Sequence, residues 1–117
     1  MATPHELLTA NLHDVFGNRD PGSRRKAIHA TYTADVSFSD PDETVTGLDA
    51  LEAKAAAVIE GAPADSVFAP VGLEYTSPDS GALAWEFGPA GNPVARGIDV
   101  ITVRDGRISA LRTMLHS

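Results

Sequence analysis

The sequence predicts an α+β fold in which helices cover one face of a curved antiparallel sheet. Apolar residues recur at helical spacing in the first half of the 117-residue chain and alternate with a period of two in the second half. The breaks between the later segments contain the Gly, Pro, Asp or Asn that tight turns require, so consecutive strands should pair as an antiparallel meander. Helices followed by a meander are typical of the α+β class, and a bent sheet with helices across its open side encloses a pocket.

The first half of the sequence predicts three helices. Thr3, Pro4 and Glu6 form a capping-box signature that opens a helix over residues 4–16. A second helix is predicted from about residue 22 to residue 33, and a third follows Gly47 and covers residues 48–60. The apolar side chains that these helices would bury are Leu8, Leu12, Val15 and Phe16, then Ile28 and Tyr32, and finally Leu51, Ala55, Val58 and Ile59.

One strand is predicted among the helices, and four more follow them. A short strand over residues 35–39 is predicted between the second and third helices. The meander strands are predicted over residues 67–75, 82–87, 94–104 and 107–115. Because the sequence has no internal repeat and no shift of composition, residues 1–117 are predicted to form a single domain.

Composition disfavours or excludes several classes of function. Sixteen Asp and Glu residues against nine Lys and Arg give a net charge of -7, which disfavours nucleic-acid and membrane partners. The absence of cysteine excludes disulfides, thiolate metal sites and a cysteine nucleophile. His5, His13, His29 and His116 lack the spacing of metal ligands, so no metal site is predicted. The N-terminus lacks the basic and then apolar pattern of a signal peptide, and we expect a soluble, cytoplasmic protein.

Two carboxylates occupy positions that solvation does not explain. Asp99 lies in the middle of a predicted strand with apolar neighbours on both faces. Since burying an unpaired ionised carboxylate costs several kcal/mol, it must be ion-paired, richly hydrogen-bonded or protonated. Asp40 ends the first strand on the face that carries Val36 and Phe38, which would place it at the rim of the pocket. Alternatively, Asp40 is a turn residue whose carboxylate accepts a backbone N–H two residues on.

The last hairpin leaves two registers open for Asp99. A two-residue type I′ turn at Asp105 and Gly106 places Asp99 opposite Arg112, where it would be an ionised, structural partner. A three-residue loop with a bulge at Gly106 places Asp99 opposite Leu111, where a protonated carboxyl in an apolar pocket is favoured.

The chain resembles the ketosteroid isomerase and SnoaL-like polyketide cyclase branch of the nuclear transport factor 2-like superfamily. The resemblance lies in residues 32–41 (YTADVSFSDP), 47–51 (GLDAL) and 97–108 (GIDVITVRDGRI). It implies a cone-shaped sheet around an apolar pocket and a homodimer formed through the outer face of the sheet. It also implies that Asp40 is the proton-shuttling base and that Asp99, kept protonated, donates a hydrogen bond to the substrate oxygen. The tyrosine that shares this donation in the isomerases has no counterpart, because its position falls on Leu12.

We therefore predict a small cofactor-independent enzyme of isomerase or cyclase type. It would transfer a proton next to a carbonyl of a hydrophobic, steroid-, terpenoid- or polyketide-like substrate. The residues expected to line the pocket are Leu12, Phe16, Phe38, Val58, Trp85 and Leu111. The polar helix residues Asn11, His13 and His29 are expected at the surface. The alternative is a non-catalytic module of the same fold that binds a hydrophobic ligand or dimerises. A cavity into which both aspartates point favours the enzyme, whereas an Asp99–Arg112 pair favours the module.

Overall fold

The computed structural model describes residues 1–116, in which three helical regions pack against one six-stranded sheet. The first region is α1 (Pro4–Thr9), which continues as a π-helix over Ala10–Phe16. The other two are α2 (Pro21–Thr31) and α3 (Leu48–Glu60). The predicted capping box is present, since the Glu6 N–H donates to Thr3 Oγ1 at 3.2 Å and the Thr3 N–H donates to Glu6 Oε1 at 2.9 Å. No helix within the described residues is long and apolar enough to cross a membrane.

The sheet has the order β2-β1-β6-β5-β4-β3. Its strands are β1 (Tyr32–Ser39), β2 (Thr44–Thr46), β3 (Ser66–Ser77), β4 (Ser80–Pro89), β5 (Ala95–Arg104) and β6 (Arg107–Leu115). Strands β3 to β6 form the antiparallel meander that the turn residues predict. Strand β1 lies beside β6 in the parallel direction and forms an antiparallel pair with β2. The sheet is therefore antiparallel apart from the β1–β6 pair, whose partners are distant in the chain.

Two elements differ from the sequence prediction near the start of the sheet. Helix α2 ends at Thr31, and Tyr32 begins β1 instead of closing the helix. The run from Thr31 to Thr33 contains two β-branched residues and an aromatic one, which suit a strand better than the end of a helix. The three-residue strand β2 is absent from the prediction because it is too short to show a period-two pattern.

The β5–β6 hairpin adopts neither of the two predicted registers. Asp105 and Gly106 have φ of 55° and 74°, and Arg104 lies opposite Arg107, as a two-residue type I′ turn requires. The register then shifts between Thr102 and Val103, because β6 contains one extra residue. Asp99 consequently pairs with Thr113. The shift is opposite in direction to the one that a bulge at Gly106 would cause.

The core lies between the helices and the inner face of the sheet. Its buried members come from every helix and from all strands except β2. Register shifts in β1, β3 and β6 accompany the bending of the sheet, as bulges do in curved sheets. Gly97 on β5 is required by this packing, since a Cβ there would lie 2.7 Å from the Trp85 ring. The glycine therefore leaves room for the indole ring of Trp85 against β5.

Candidate functional site

A cavity of about 220 Å³ lies at the open end of the sheet, and both Asp40 and Asp99 line it. Its wall is otherwise mainly apolar and aromatic. The remaining lining residues are Phe16, Phe38, Pro41, Asp42, Val58, Phe68, Trp85, Phe87, Ala95, Thr113 and Leu115. The two carboxylates that the sequence analysis singles out are thus brought to one cavity by β1 and β5.

Four of the six predicted lining residues lie on this cavity, namely Phe16, Phe38, Val58 and Trp85. The expectation that Leu12 and Leu111 line it is wrong. Both are core residues with 1% of their surface exposed. Leu111 pairs with Ile101 and packs in the core. Leu12 faces a separate depression beside β3 and β4. The substrate-binding role of the other four stays a prediction.

The sequence analysis missed two aromatic residues of the wall, Phe68 and Phe87. Their rings stack with centroids 4.2 Å apart, and the Trp85 ring meets Phe68 edge-on at 5.2 Å. Phe87 follows Trp85 by two residues on β4, so the period-two pattern placed it on the same face. Phe68 faces Phe87 across the β3–β4 ladder, a pairing that depends on register.

Asp99 is buried, with 6% of its surface exposed, and its carboxylate has polar but uncharged partners. Asn11 Nδ2 donates to Oδ2 at 2.9 Å, and Thr113 Oγ1 lies 2.8 Å from Oδ1. Arg112 is exposed and pairs with Val100, one residue away from the position that an ion pair needs. Burial raises the pKa of Asp99 above its ordinary value, although Thr113, the nearby Trp85 N–H and Asn11 act in the opposite direction.

Asn11 is fully buried, which contradicts the expectation that it lies at the surface. Its amide links two elements, since Nδ2 donates to Asp99 while Oδ1 accepts the hydroxyl hydrogen of Tyr32. Burial, followed by the nearby Asp99 charge, raises the pKa of Tyr32 well above its ordinary value, so the phenol keeps its hydrogen. The signal was present in the sequence, because Asn11 falls at i+3 from Leu8 within the apolar stripe of the first helix.

The Trp85 indole N–H is the other polar group beside Asp99. It is buried and makes no hydrogen bond within the described residues. It nevertheless lies close enough to the carboxyl of Asp99 to lower its pKa. Trp85 therefore contributes a partial positive charge to the floor of the cavity in addition to its apolar ring.

Asp40 occupies both of the positions that the sequence analysis gave as alternatives, since it lines the cavity and is also a turn residue. Its Oδ1 accepts the backbone N–H groups of Asp42 at 2.9 Å and Glu43 at 3.0 Å, which is the predicted turn. Its Oδ2 accepts from Lys54 Nζ at 2.9 Å. Burial opposes ionisation, but Lys54 and the two backbone donors together lower the pKa of Asp40 below its ordinary value. A carboxylate has about four lone-pair positions, so Oδ2 retains one that these partners do not use.

Lys54 on α3 is a residue of the site that sequence analysis missed. Its ammonium group also lies 3.3 Å from Glu43 Oε2 and 5.9 Å from the centroid of the Phe38 ring. The hydrogen bond with Asp40 is the largest influence on Lys54 and raises its pKa, so the ammonium stays charged. Because α3 and β1 are joined only through β2 and a turn, their contact is a tertiary one that local patterns do not reveal.

Two of the three carboxyl groups that line the cavity, those of Asp40 and Asp99, thus have surroundings that favour opposite protonation states. Asp40 is held ionised and can accept a proton. Asp99 is biased toward the neutral acid, which can donate a hydrogen bond. Such a pair, in an apolar cavity, can remove a proton from carbon and stabilise the negative oxygen that results. Within residues 1–116, no three His, Asp or Glu side chains are grouped as metal ligands.

Comparison with known proteins gives a family. The model of the SnoaL-like domain matches residues 10–111. A candidate isomerase of the SnoaL-like family from Agrobacterium tumefaciens str. C58 has a TM-score of 0.87 and 21% identity, with 97% of each chain covered. A candidate SnoaL-like polyketide cyclase from Jannaschia sp. CCS1 has a TM-score of 0.78 and 15% identity, with 96% of this chain and 84% of that chain covered.

A candidate ketosteroid isomerase from Kribbella flavida DSM 17836 has a TM-score of 0.70 and 17% identity, with 98% of this chain and 80% of that chain covered. No curated protein matches the sequence. At these identities the structural likeness establishes the fold alone, and it confirms the predicted α+β cone with its curved, unclosed sheet. Since the family model spans most of the described residues, the chain belongs to the SnoaL-like domain family.

Proposed function

We propose that the protein is a cofactor-independent enzyme that transfers a proton at a carbon next to a carbonyl group. The observation that supports this most directly is that Asp40 and Asp99 line one apolar cavity while their pKa values move in opposite directions. A base and a neutral acid are the two groups that such a reaction requires. The candidate isomerase and cyclase structures of the same fold agree with this class of chemistry.

The reaction can be written for the two residues. The free lone pair of Asp40 Oδ2 takes the hydrogen from the α-carbon, so that an O–H bond forms and the C–H bond breaks. The electron pair of that C–H bond becomes the C=C bond of an enolate, and the carbonyl π electrons move to the oxygen. Asp99 donates a hydrogen bond to this oxygen and stabilises its negative charge. Asp40 then returns the proton to the same carbon or to a conjugated one, and it regains its ionised state.

The wall of the cavity favours a hydrophobic substrate with flat rings. Phe16, Phe38, Phe68, Trp85 and Phe87 supply aromatic surface on several sides. The volume of about 220 Å³ is below the roughly 300–1,000 Å³ typical of sites for drug-sized ligands. We therefore propose that the cavity holds one or two rings of a steroid-, terpenoid- or polyketide-like molecule, with any remainder outside the mouth.

A second candidate function is a non-catalytic module that binds a hydrophobic ligand. The observation in its favour is the ion pair between Asp40 and Lys54, with side chains 18% and 19% exposed. This pair lowers the pKa of Asp40 and makes the carboxylate a weaker base. A ligand-binding role needs the cavity but no base, and it would tolerate loss of the Asp40 charge.

We also propose that two copies of the chain associate through the outer face of the sheet. Ala84, Ile98 and Met114 lie side by side on β4, β5 and β6, and Val71 of β3 borders the same groove. These four residues are called the outer patch below. Met114 is 47% exposed and Val71 is 41% exposed, so association would remove apolar surface from water.

Exchange of α-hydrogens in heavy water distinguishes the two functions. The probe is 2-acetonaphthone, a flat ketone whose methyl hydrogens are replaced by deuterium when an enolate forms. Wild type should accelerate this exchange, and Asp40→Asn should lose roughly 100- to 10,000-fold in rate because it removes the base. Proton NMR of the methyl signal measures the exchange rate of both proteins.

Asp42→Asn is the matched control, since Asp42 is another aspartate of the same rim and the proposed reaction does not use its side chain. It should exchange the ketone at close to the wild-type rate. Exchange that is unaffected by Asp40→Asn, or equally reduced by Asp42→Asn, contradicts the role of Asp40. A ketone that binds wild type without any exchange favours the non-catalytic module.

A further inference from the structure

The Tyr32–Asn11–Asp99 chain determines which oxygen of Asp99 carries a hydrogen. The Tyr32 hydroxyl donates to Asn11 Oδ1, so the amide is oriented with Nδ2 toward Asp99 Oδ2. Oδ2 is therefore an acceptor in this contact. The acidic hydrogen of neutral Asp99 consequently belongs on Oδ1, the oxygen that lies 2.8 Å from Thr113 Oγ1.

The contact between Asp99 Oδ1 and Thr113 Oγ1 can use only one hydrogen. A neutral carboxyl and a hydroxyl bring two hydrogens to it. If Asp99 donates to Thr113, the Thr113 hydrogen is left over, and if Thr113 donates, the acid hydrogen is left over. Both residues line the cavity, and within residues 1–116 no protein acceptor takes the remaining hydrogen. The Trp85 N–H beside the carboxyl is itself a donor and cannot accept it. One O–H is thus available to an acceptor in the cavity in either arrangement.

We propose that Thr113 is a hydrogen-bond donor of the cavity: its Oγ1 accepts the acid hydrogen of Asp99, and its own hydroxyl hydrogen is donated to the carbonyl oxygen of a ketone or enone. Asp99 then acts on this oxygen through Thr113. This inference rests on the function proposed above and adds a catalytic residue to it. Thr113 supplies the hydroxyl that the first helix lacks, where Leu12 is a core residue. Asn11 and Tyr32 act through Asp99 and are positioning residues.

The pair donates only while Asp99 is neutral. Once Asp99 is ionised, the single Thr113 hydrogen is held by the carboxylate, and no hydrogen of the pair remains for a ligand. The groups that face Asp99 are Asn11 of the π-helix, Thr113 of β6 and Trp85 of β4, none of which is charged. The titratable groups nearby are Tyr32, reached through Asn11, and Asp40 and Asp42 on the same cavity. Affinity for a ketone should therefore fall with rising pH, whereas affinity for a hydrocarbon should not.

The experiment compares binding of 2-acetonaphthone with that of 2-ethylnaphthalene, which has nearly the same shape but no acceptor. Quenching of Trp85, the only tryptophan of the chain, measures both affinities. Thr113→Val keeps the shape but removes the hydroxyl that reaches the ligand, and the acid hydrogen of Asp99 then faces a methyl group in place of Oγ1. The variant should therefore weaken ketone binding roughly tenfold and hydrocarbon binding less than about twofold. Thr113→Ser should restore ketone binding to within about twofold of wild type.

If Thr113→Val does not fold, a measurement on wild type tests the proposal instead. The carbonyl carbon-13 resonance of the labelled ketone should move downfield on binding, relative to an apolar solvent, because an O–H donates to the oxygen. The proposal is overturned by an unmoved resonance, by equal weakening of ketone and hydrocarbon in Thr113→Val, or by a wild type with no preference for the ketone. Absence of α-hydrogen exchange in wild type would instead contradict the proposed catalysis, since the binding comparison does not depend on turnover.

Discussion

Asp40 and Asp99 are identical side chains whose surroundings move their pKa values in opposite directions. At Asp40, a neighbouring ammonium group and two backbone N–H groups outweigh partial burial. At Asp99, near-complete burial outweighs the neutral donors around it. The sequence analysis identified both residues, because a polar side chain among apolar neighbours is visible in one dimension. It could not identify Lys54 or Thr113, because these reach the site through tertiary contacts.

Lys54 determines how strong a base Asp40 can be. Lys54→Met removes the charge but keeps an apolar stem beside Phe38. The pKa of Asp40 should then rise, because the hydrogen bond and the charge that favoured its ionised form are lost. Since catalysis needs ionised Asp40, activity lost on acidification should begin at a higher pH in the variant. The acidic limb of the kcat/KM profile for 2-acetonaphthone exchange measures this shift.

Lys26→Met is the control, because Lys26 is exposed on α2 and makes no ion pair within residues 1–116. Its acidic limb should coincide with that of wild type. A limb that stays in place in Lys54→Met would mean that the titrating group is not Asp40.

At the scale of elements, the helices and the meander follow from patterns in the sequence, while their registers do not. Helix α3 and strand β6 have the predicted bounds because both carry a clear period between strong turn signals. The extra residue in β6 has no such signal. Because of it, Asp99 pairs with Thr113 and not with Arg112. The carboxyl therefore has a neutral hydrogen-bond partner in place of the predicted ion-pair partner. A shift of one position in a strand pair thus decides the chemistry of the site.

The π-helix that follows α1 also contains residues of the site. It spans Ala10–Phe16, which includes both Asn11 and the cavity residue Phe16. The polar residue in the apolar stripe was the visible signal, but its partners Tyr32 and Asp99 are 21 and 88 residues away. Sequence spacing could indicate that Asn11 is buried, and only the fold shows what it binds.

At the scale of the whole molecule, the oligomeric state tests whether the outer patch is an interface between two copies of the chain. Light scattering should give twice the chain mass for wild type, because in the proposed dimer a second copy covers Ile98 and Met114. Met114→Lys should shift the protein toward monomer, since an ammonium group would be buried in the interface. A wild-type monomer at concentrations used for assays contradicts the proposed dimer.

Arg112→Ala is a suitable comparison, because Arg112 is exposed on the same face of β6, two residues from Met114, and lies outside the outer patch. It removes a side chain without introducing a charge into the outer patch. It should leave the mass unchanged, whereas a loss of mass equal to that in Met114→Lys would indicate a general effect on the strand.

The separation of the two carboxyl pKa values is the basis of the proposed function, and a titration followed by carbon-13 NMR measures it directly. The side-chain carboxyl resonances can be assigned with Asp40→Asn and Asp99→Asn. Asp40 should titrate below the ordinary value of 3.8 and Asp99 above it, so that between the two midpoints the cavity holds an ionised base and a neutral acid. A midpoint of Asp99 at or below that of Asp40 would contradict the account.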